Sequence, residues 1–99
     1  MESTDLLQKT ALMIDSNDNV AVALTDLKKG DLVRIRFNNQ EETIQALEDI
    51  AFGHKIALRD IGENECVLKY GEEIGKMIEP VQKGGYIHNH NMYCDRGMK

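Results

Sequence analysis

Read along the chain, the apolar positions fall into short runs separated by turn-forming residues, the pattern of a protein built from brief strands and tight turns. Ala11 to Ile14 and Val20 to Leu24 are two such runs. The DSNDN link between them (15–19) is dense in residues that tolerate left-handed backbone, so the pair reads as a hairpin. LVRIRF (32–37) alternates apolar with polar or basic residues, as a half-buried strand does, and Asn38 and Asn39 then make a turn. KIAL (55–58), CVLKY (66–70) and YIHNH (86–90) read as further strands. EETIQALEDI (41–50) fits two patterns: Ile44, Leu47 and Ile50 share one helical face, while Thr43 to Gln45 suits a strand. A short strand followed by a turn is the preferred reading there. The glycines of KYGEEIG and of GEEIGKMI (71–78) suggest a turn, and Pro80, at the start of another, obstructs no strand.

A short phrase recurs four times: an Asp or Pro, an aliphatic residue, two variable residues, a Gly or Asn, two more residues and a second aliphatic. The copies are Asp26-Leu27 with Gly30 and Val33, Asp49-Ile50 with Gly53 and Ile56, Asp60-Ile61 with Asn64 and Val67, and Pro80-Val81 with Gly84 and Ile87. Asp or Pro opens a turn, the first aliphatic tucks into the core, Gly or Asn takes a positive φ, and the second aliphatic enters a strand. The copies begin at irregular intervals, which excludes a solenoid, because a solenoid needs a fixed period. They point to a heavily turned all-β fold of short strands.

Length and composition narrow the function. Ninety-nine residues, 41% hydrophobic and 29% charged, make one ordinary globular domain. Its expected extent is 11–92, with a flexible N-terminus (1–10) and a C-terminal tail (93–99). No apolar run approaches the roughly 18 residues of a membrane span, and the acidic start MESTDLL is not a secretory signal, so a cytoplasmic location is expected. A net charge of −5 without a basic block argues against nucleic acid. With no Trp, an aromatic platform for sugar stacking is not expected. Cys66 and Cys94 stand singly, without C-x-x-C spacing, and read as reduced thiols; the competing reading puts Cys94 beside His88 and His90 around a metal.

Candidate chemistry concentrates in GGYIHNHN (84–91). His88 and His90 are two residues apart and share a face if the segment is extended. Paired neutral imidazoles bind a metal or a carboxylate, or move a proton. Two histidines do not complete a zinc site, so a tight metal site would need ligands from elsewhere. Lys55 and Lys69 lie in apolar strands near glycines and either present an ammonium to an acidic ligand or belong to a solvated strand face. Asp26, Asp49 and Asp60 are expected to cap backbone N–H groups rather than to catalyse. No nucleophile elbow, phosphate loop or HExxH helix is present.

Taken together, GHKIALRDI (53–61), KYGEEIGK (69–76) and GGYIHNHN (84–91) resemble the small SAF-type domain of the altronate and galactarate dehydratases, which is similar in turn to the small subunit of sulfolactate sulfo-lyase. The resemblance spans roughly residues 11–92. It implies a β-clip fold, in agreement with the recurring phrase. It also implies a sugar-acid lyase that removes water, or sulfite, from a 2-hydroxy acid such as altronate or galactarate. Such enzymes usually work with a divalent metal, Fe²⁺ or Mn²⁺, in the assembled enzyme, and none is assigned with certainty to this chain alone. In the dehydratases most of the enzyme is a larger region, so the resemblance makes this chain an accessory small subunit, inactive alone, that acts with a large dehydratase-type subunit on a sugar-acid or sulfo-acid substrate. Carried over by position, His88 and His90 are the candidate catalytic residues and metal ligands, in a site completed by the partner. His54, Lys55, Lys69, Tyr70 and Asn91 are the candidate substrate-binding residues. Two other readings remain open: a free-standing SAF-like ligand- or metal-binding module without catalysis, and an assembly subunit with unused histidines. Self-association through exposed strand edges is compatible with any of them.

Overall fold

The computed structural model describes residues 9–93. Among these there are nine strands and no helix: β1 Lys9–Leu12, β2 Val20–Ala23, β3 Leu32–Phe37, β4 Gln40–Gln45, β5 Lys55–Ala57, β6 Cys66–Lys69, β7 Glu72–Met77, β8 Tyr86–Ile87 and β9 Met92–Tyr93. Six form one sheet in the order β4-β3-β1-β2-β5-β8, and β6-β7-β9 form a second. The all-β, heavily turned architecture agrees with the β-clip expectation.

The recurring phrase organises both halves. All four turn residues have positive φ: 94° at Gly30, 87° at Gly53, 68° at Asn64 and 93° at Gly84. The copies also pair, two by two. Leu27 and Ile50 exchange backbone hydrogen bonds of 2.7 and 2.9 Å, and Ile61 and Val81 exchange two of 2.9 Å. Leu27 and Ile50 are buried in one apolar cluster with Val33 and Ile56. Ile61 and Val81 are buried in a second cluster with Val67 and Ile87. Each pair of phrases therefore carries its own core.

Alanine or methionine three residues before each phrase completes the clamp. Ala23 donates its N–H to the His54 carbonyl and accepts from Gly53 N–H, both at 2.8 Å; Ala46 does the same with Asp31 and Gly30. In the other half, Ala57 engages Gly84 and Gly85, and Met77 engages Asn64 and Glu65. All four of these residues are buried. A side chain at Gly84 would collide with the Gln45 carbonyl oxygen, so this position needs glycine for room as well as for φ.

Several expectations are met closely. β1 and β2 form the expected antiparallel hairpin. Asn38-Asn39 is the two-residue loop of the β3–β4 hairpin, and the ambiguous 41–50 segment is strand up to Gln45 and then turn. Others need correction. Residues 71–78 are not one turn: Tyr70 and Gly71, with φ of 58° and 79°, form the tight loop, and β7 continues through Gly75 with a shift of register against β6 beside it. Gly75 lies against the Tyr93 carbonyl, where a side chain would clash, so this glycine permits close strand approach. Lys9 and Thr10, within the segment expected to be flexible, pair in parallel with Val33 and Arg34 as part of β1. Residues 1–8 and 94–99, including Cys94, lie outside the described residues.

The strand expected over 86–90 stops at Ile87. His88–Asn91 is a turn in which the Asn91 N–H donates to the His88 carbonyl at 3.1 Å. The H-x-H pair thus does not gain its shared direction from strand alternation.

Candidate functional site

A cluster of imidazoles forms where the second and fourth phrases meet. Gly53 turns the chain into His54 and Lys55 at the head of β5, and Gly84 turns it into Tyr86 at the head of β8. β5 and β8 pair antiparallel, Lys55 opposite Ile87 and Ile56 opposite Tyr86. That register brings His54 to the strand carrying Tyr86 and to the turn that follows it.

Tyr86 is the hub of the cluster. Its hydroxyl lies 2.7 Å from Nδ1 of His54. Its ring centroid is 5.6 Å from that of His54, 5.9 Å from that of His88, nearly parallel at 8°, and 5.1 Å from that of His90. His54 and His88 stand 4.6 Å apart, centroid to centroid. His54, Tyr86 and His88 are half-buried, and His90 is exposed. The three histidines are therefore gathered at one place, and the residue that gathers them is a tyrosine that the reading of the H-x-H motif passed over. A signal was present: Tyr86 stands two residues before His88, so a strand that reaches only Ile87 still aligns these two side chains.

The surroundings are cationic. The Lys55 ammonium is half-buried and held below its ordinary value, first by loss of water and then by repulsion from Lys69. His88 is also held below its ordinary value, chiefly by loss of water, then by His54, Lys55 and His90. Among the described residues none of these groups is seen in an ion pair with a carboxylate; ion pairs there include Arg34–Glu41 and Lys83–Glu42. The nearby acids are engaged with backbone: Glu48 accepts the Tyr86 N–H at 3.0 Å, Asp26 the Phe52 N–H and Asp49 the Lys29 N–H, both at 2.9 Å. Uncompensated ammonium and imidazole groups on one face suit an anion.

The remaining expected site residues divide. The Lys69 ammonium lies 4.9 Å from the centre of the Tyr70 ring, and Tyr70 is exposed in the β6–β7 loop. A tyrosine at positive φ is uncommon, and the loop is anchored by the buried Asp18, whose Oδ1 accepts the Gly71 N–H at 2.8 Å. Asn91 is buried; its Oδ1 accepts the His88 N–H at 3.0 Å and its Nδ2 donates to the Tyr86 carbonyl at 2.8 Å, so its side chain closes the loop that carries the histidines.

The described residues do not fit a cation of their own. No group of three or more His, Cys, Asp or Glu among them is arranged to hold a metal ion. Nδ1 of His54 faces a hydroxyl, and the neighbouring Lys55 repels a cation. The cluster is also a face and not an enclosed pocket. Tyr86 lines a hollow of about 330 Å³ with Asp26 and Asp49, His90 lines another of about 500 Å³ with Glu48 and Glu79, and neither includes His54 or His88.

Known proteins resemble the chain over most of its length. Residues 9–95 match the family described as the altronate/galactarate dehydratase SAF domain. The chain is similar to altronate dehydratase of Bacillus subtilis, with 40% identity over 83 residues, covering 84% of this chain and 16% of that protein. It is also similar to the (2R)-sulfolactate sulfo-lyase subunit alpha of Chromohalobacter salexigens, with 32% identity over 85 residues, covering 83% of this chain and 90% of that subunit. The corresponding subunit of Paracoccus pantotrophus is 41% identical over 59 residues, covering 60% of this chain and 88% of that subunit. The chain thus spans about one-sixth of the length of the dehydratase and most of the length of the sulfo-lyase subunits.

Proposed function

The chain belongs to the altronate/galactarate dehydratase SAF domain family, and we propose that it acts as the small accessory component of a sugar-acid dehydratase or sulfo-lyase, completing an active site carried mainly by a larger partner. The observation that carries this reading is the gathering of His54, His88 and His90 around Tyr86 with the Lys55 ammonium beside them, on a chain whose net charge is −5. Such a face suits the carboxylate or sulfonate of a 2-hydroxy acid. The chain covers 90% and 88% of two sulfo-lyase alpha subunits, whose name makes each one part of a multi-subunit enzyme.

Within that assembly the roles follow from geometry. Lys55 and Lys69 attract the anionic end of the substrate. His88, held neutral near pH 7, is available to accept a proton or a hydrogen bond. A divalent cation such as Fe²⁺ or Mn²⁺, if the assembled enzyme uses one, takes most of its ligands from the larger partner, and it would polarise the substrate hydroxyl and carboxylate. His88 and His90 would help to hold such a cation only with further ligands from the larger partner.

The test is reconstitution. The chain is mixed with the large dehydratase-type protein, and elimination from altronate, galactarate and sulfolactate is assayed with and without it. A rise in turnover on one of these acids supports the proposal; no gain over the larger protein alone on any of them overturns it.

A further inference from the structure

Tyr86 offers more than a packing surface. A hydroxyl 2.7 Å from an imidazole nitrogen lies at the short end of hydrogen-bond distances, where O–H donors cluster, whereas N–H donors centre nearer 2.9–3.0 Å. A phenol is also a better donor than acceptor, since its oxygen lone pair is shared with the ring. A Tyr86 O–H that donates to Nδ1 of His54 fits this contact. In a neutral imidazole the proton then resides on Nε2, which has no partner among the described residues.

We propose that Tyr86 is a positioning residue that locks His54 in its Nε2–H form, so that this ring presents a fixed N–H donor to an anionic oxygen of the substrate. The substrate part of this inference rests on the functional reading given above; the tautomer does not. The arrangement has a clear use. An imidazole free to exchange tautomers presents an acceptor at Nε2 for part of the time, and an acceptor repels an oxyanion. Fixing the donor in advance removes that loss and keeps the ring beside His88, 4.6 Å away. Three features of the fold make the pair rigid. The Gly53 turn is clamped by Ala23, the Tyr86 N–H is held by Glu48, and the Tyr86 carbonyl is held by Asn91.

Long-range proton–nitrogen NMR of the ¹⁵N-labelled chain, recorded at pH 8, reads the two ring nitrogens of His54 directly. Wild type is expected to show a single tautomer, with Nδ1 unprotonated and Nε2 protonated. Tyr86→Phe keeps the ring and removes the hydroxyl, and is expected to give averaged shifts of a tautomer mixture with the backbone spectrum otherwise preserved. A protonated Nδ1 in wild type, or unchanged His54 nitrogens in Tyr86→Phe, overturns the proposal. In the reconstituted enzyme the same variant is expected to lose about tenfold in kcat/KM, the equivalent of one neutral hydrogen bond to a charged group. An altered tautomer with unchanged kcat/KM also overturns it. Failure of the functional reading is distinguishable, because it appears as wild-type chain that adds nothing to the larger protein, while the NMR result still decides the state of His54.

Discussion

The carboxylate of Asp60 accepts the backbone N–H of Lys83 at 2.8 Å, across 23 residues of sequence. Lys83 occupies in the fourth phrase the position that Phe52 holds in the second and Lys29 in the first, and these two N–H groups are taken by Asp26 and Asp49. The opening Asp of one phrase thus caps the turn of its partner phrase. In the first pair the exchange is mutual. In the second it runs one way, because Pro80 stands where the returning carboxylate would be.

Replacing such a carboxylate should loosen the pairing of phrases without unfolding the domain. Asp26→Ala, Asp49→Ala and Asp60→Ala are each expected to cost about 1 kcal/mol. That corresponds to a fall in Tm of about 4–8 °C for a domain of this size. Thermal unfolding followed by circular dichroism measures it. A loss confined to local exchange at the altered turn, with no fall in Tm, would show that the caps do not couple the phrases.

Asp18 is the more severe case. It is buried, and its carboxylate accepts N–H groups from Ile14, Asp15 and Gly71 at 3.3, 3.0 and 2.8 Å. Asp18→Ala strands all three donors and should cost about 3 kcal/mol or more, at roughly 1–3 kcal/mol for each buried group left unpaired. Asp18→Asn, which keeps the acceptor oxygen, should lose less. Urea midpoints rank the two; equal losses would remove the carboxylate from this role.

Lys55 and Asn91 should separate function from folding. Lys55→Met retains the apolar stem, so stability should hold while KM for the acid rises about 10-fold or more, the usual worth of a charged hydrogen bond. Asn91→Ala should instead cost about 1–3 kcal/mol of stability, because the Tyr86 carbonyl and His88 N–H lose their partner. Steady-state kinetics of the reconstituted enzyme beside urea unfolding of the chain checks both, and a stable Asn91→Ala with raised KM would reverse the assignment.

The pH dependence follows from His88. Its folded pKa lies below the ordinary 6.5, so between these two values the unfolded chain binds the proton and the folded chain does not. The stability contributed by the neutral ring is fully present above about pH 6.5 and declines as pH falls through that window. The effect is small for a partly exposed ring. Urea midpoints between pH 7.5 and 5 should fall more steeply in wild type than in His88→Gln. Equal slopes would show that His88 titrates as it does in the unfolded chain.

The turn grammar was readable from sequence because positive φ, proline geometry and aliphatic tucking depend on neighbours a few residues apart. A further part of the phrase was present and unread: Ala23, Ala46 and Ala57 each stand three residues before an Asp, with Met77 in the same place before Pro80. What the sequence did not disclose is that the phrases pair two by two. Partner choice depends on which backbone N–H and C=O groups meet across 20 or more residues, and every copy offers the same groups.

The site divides in the same way. His54, Lys55, Lys69, His88 and His90 were recognisable by residue type and by the motifs around them, since few side chains in this chain carry such chemistry. Their convergence was not recognisable, nor was the part played by Tyr86. Asn91 looked like a ligand residue and proves to be a loop clamp, because two backbone groups of Tyr86 and His88 come within reach of its amide only after the chain turns at 88–91. Sequence alone determined most of the strands, the turns of the recurring phrase and the family of this protein, all of which reside in local chemistry. The tertiary structure alone decided which imidazole meets which hydroxyl, because that contact depends on the β5–β8 register, a distance of a few ångströms set by residues far apart in the chain.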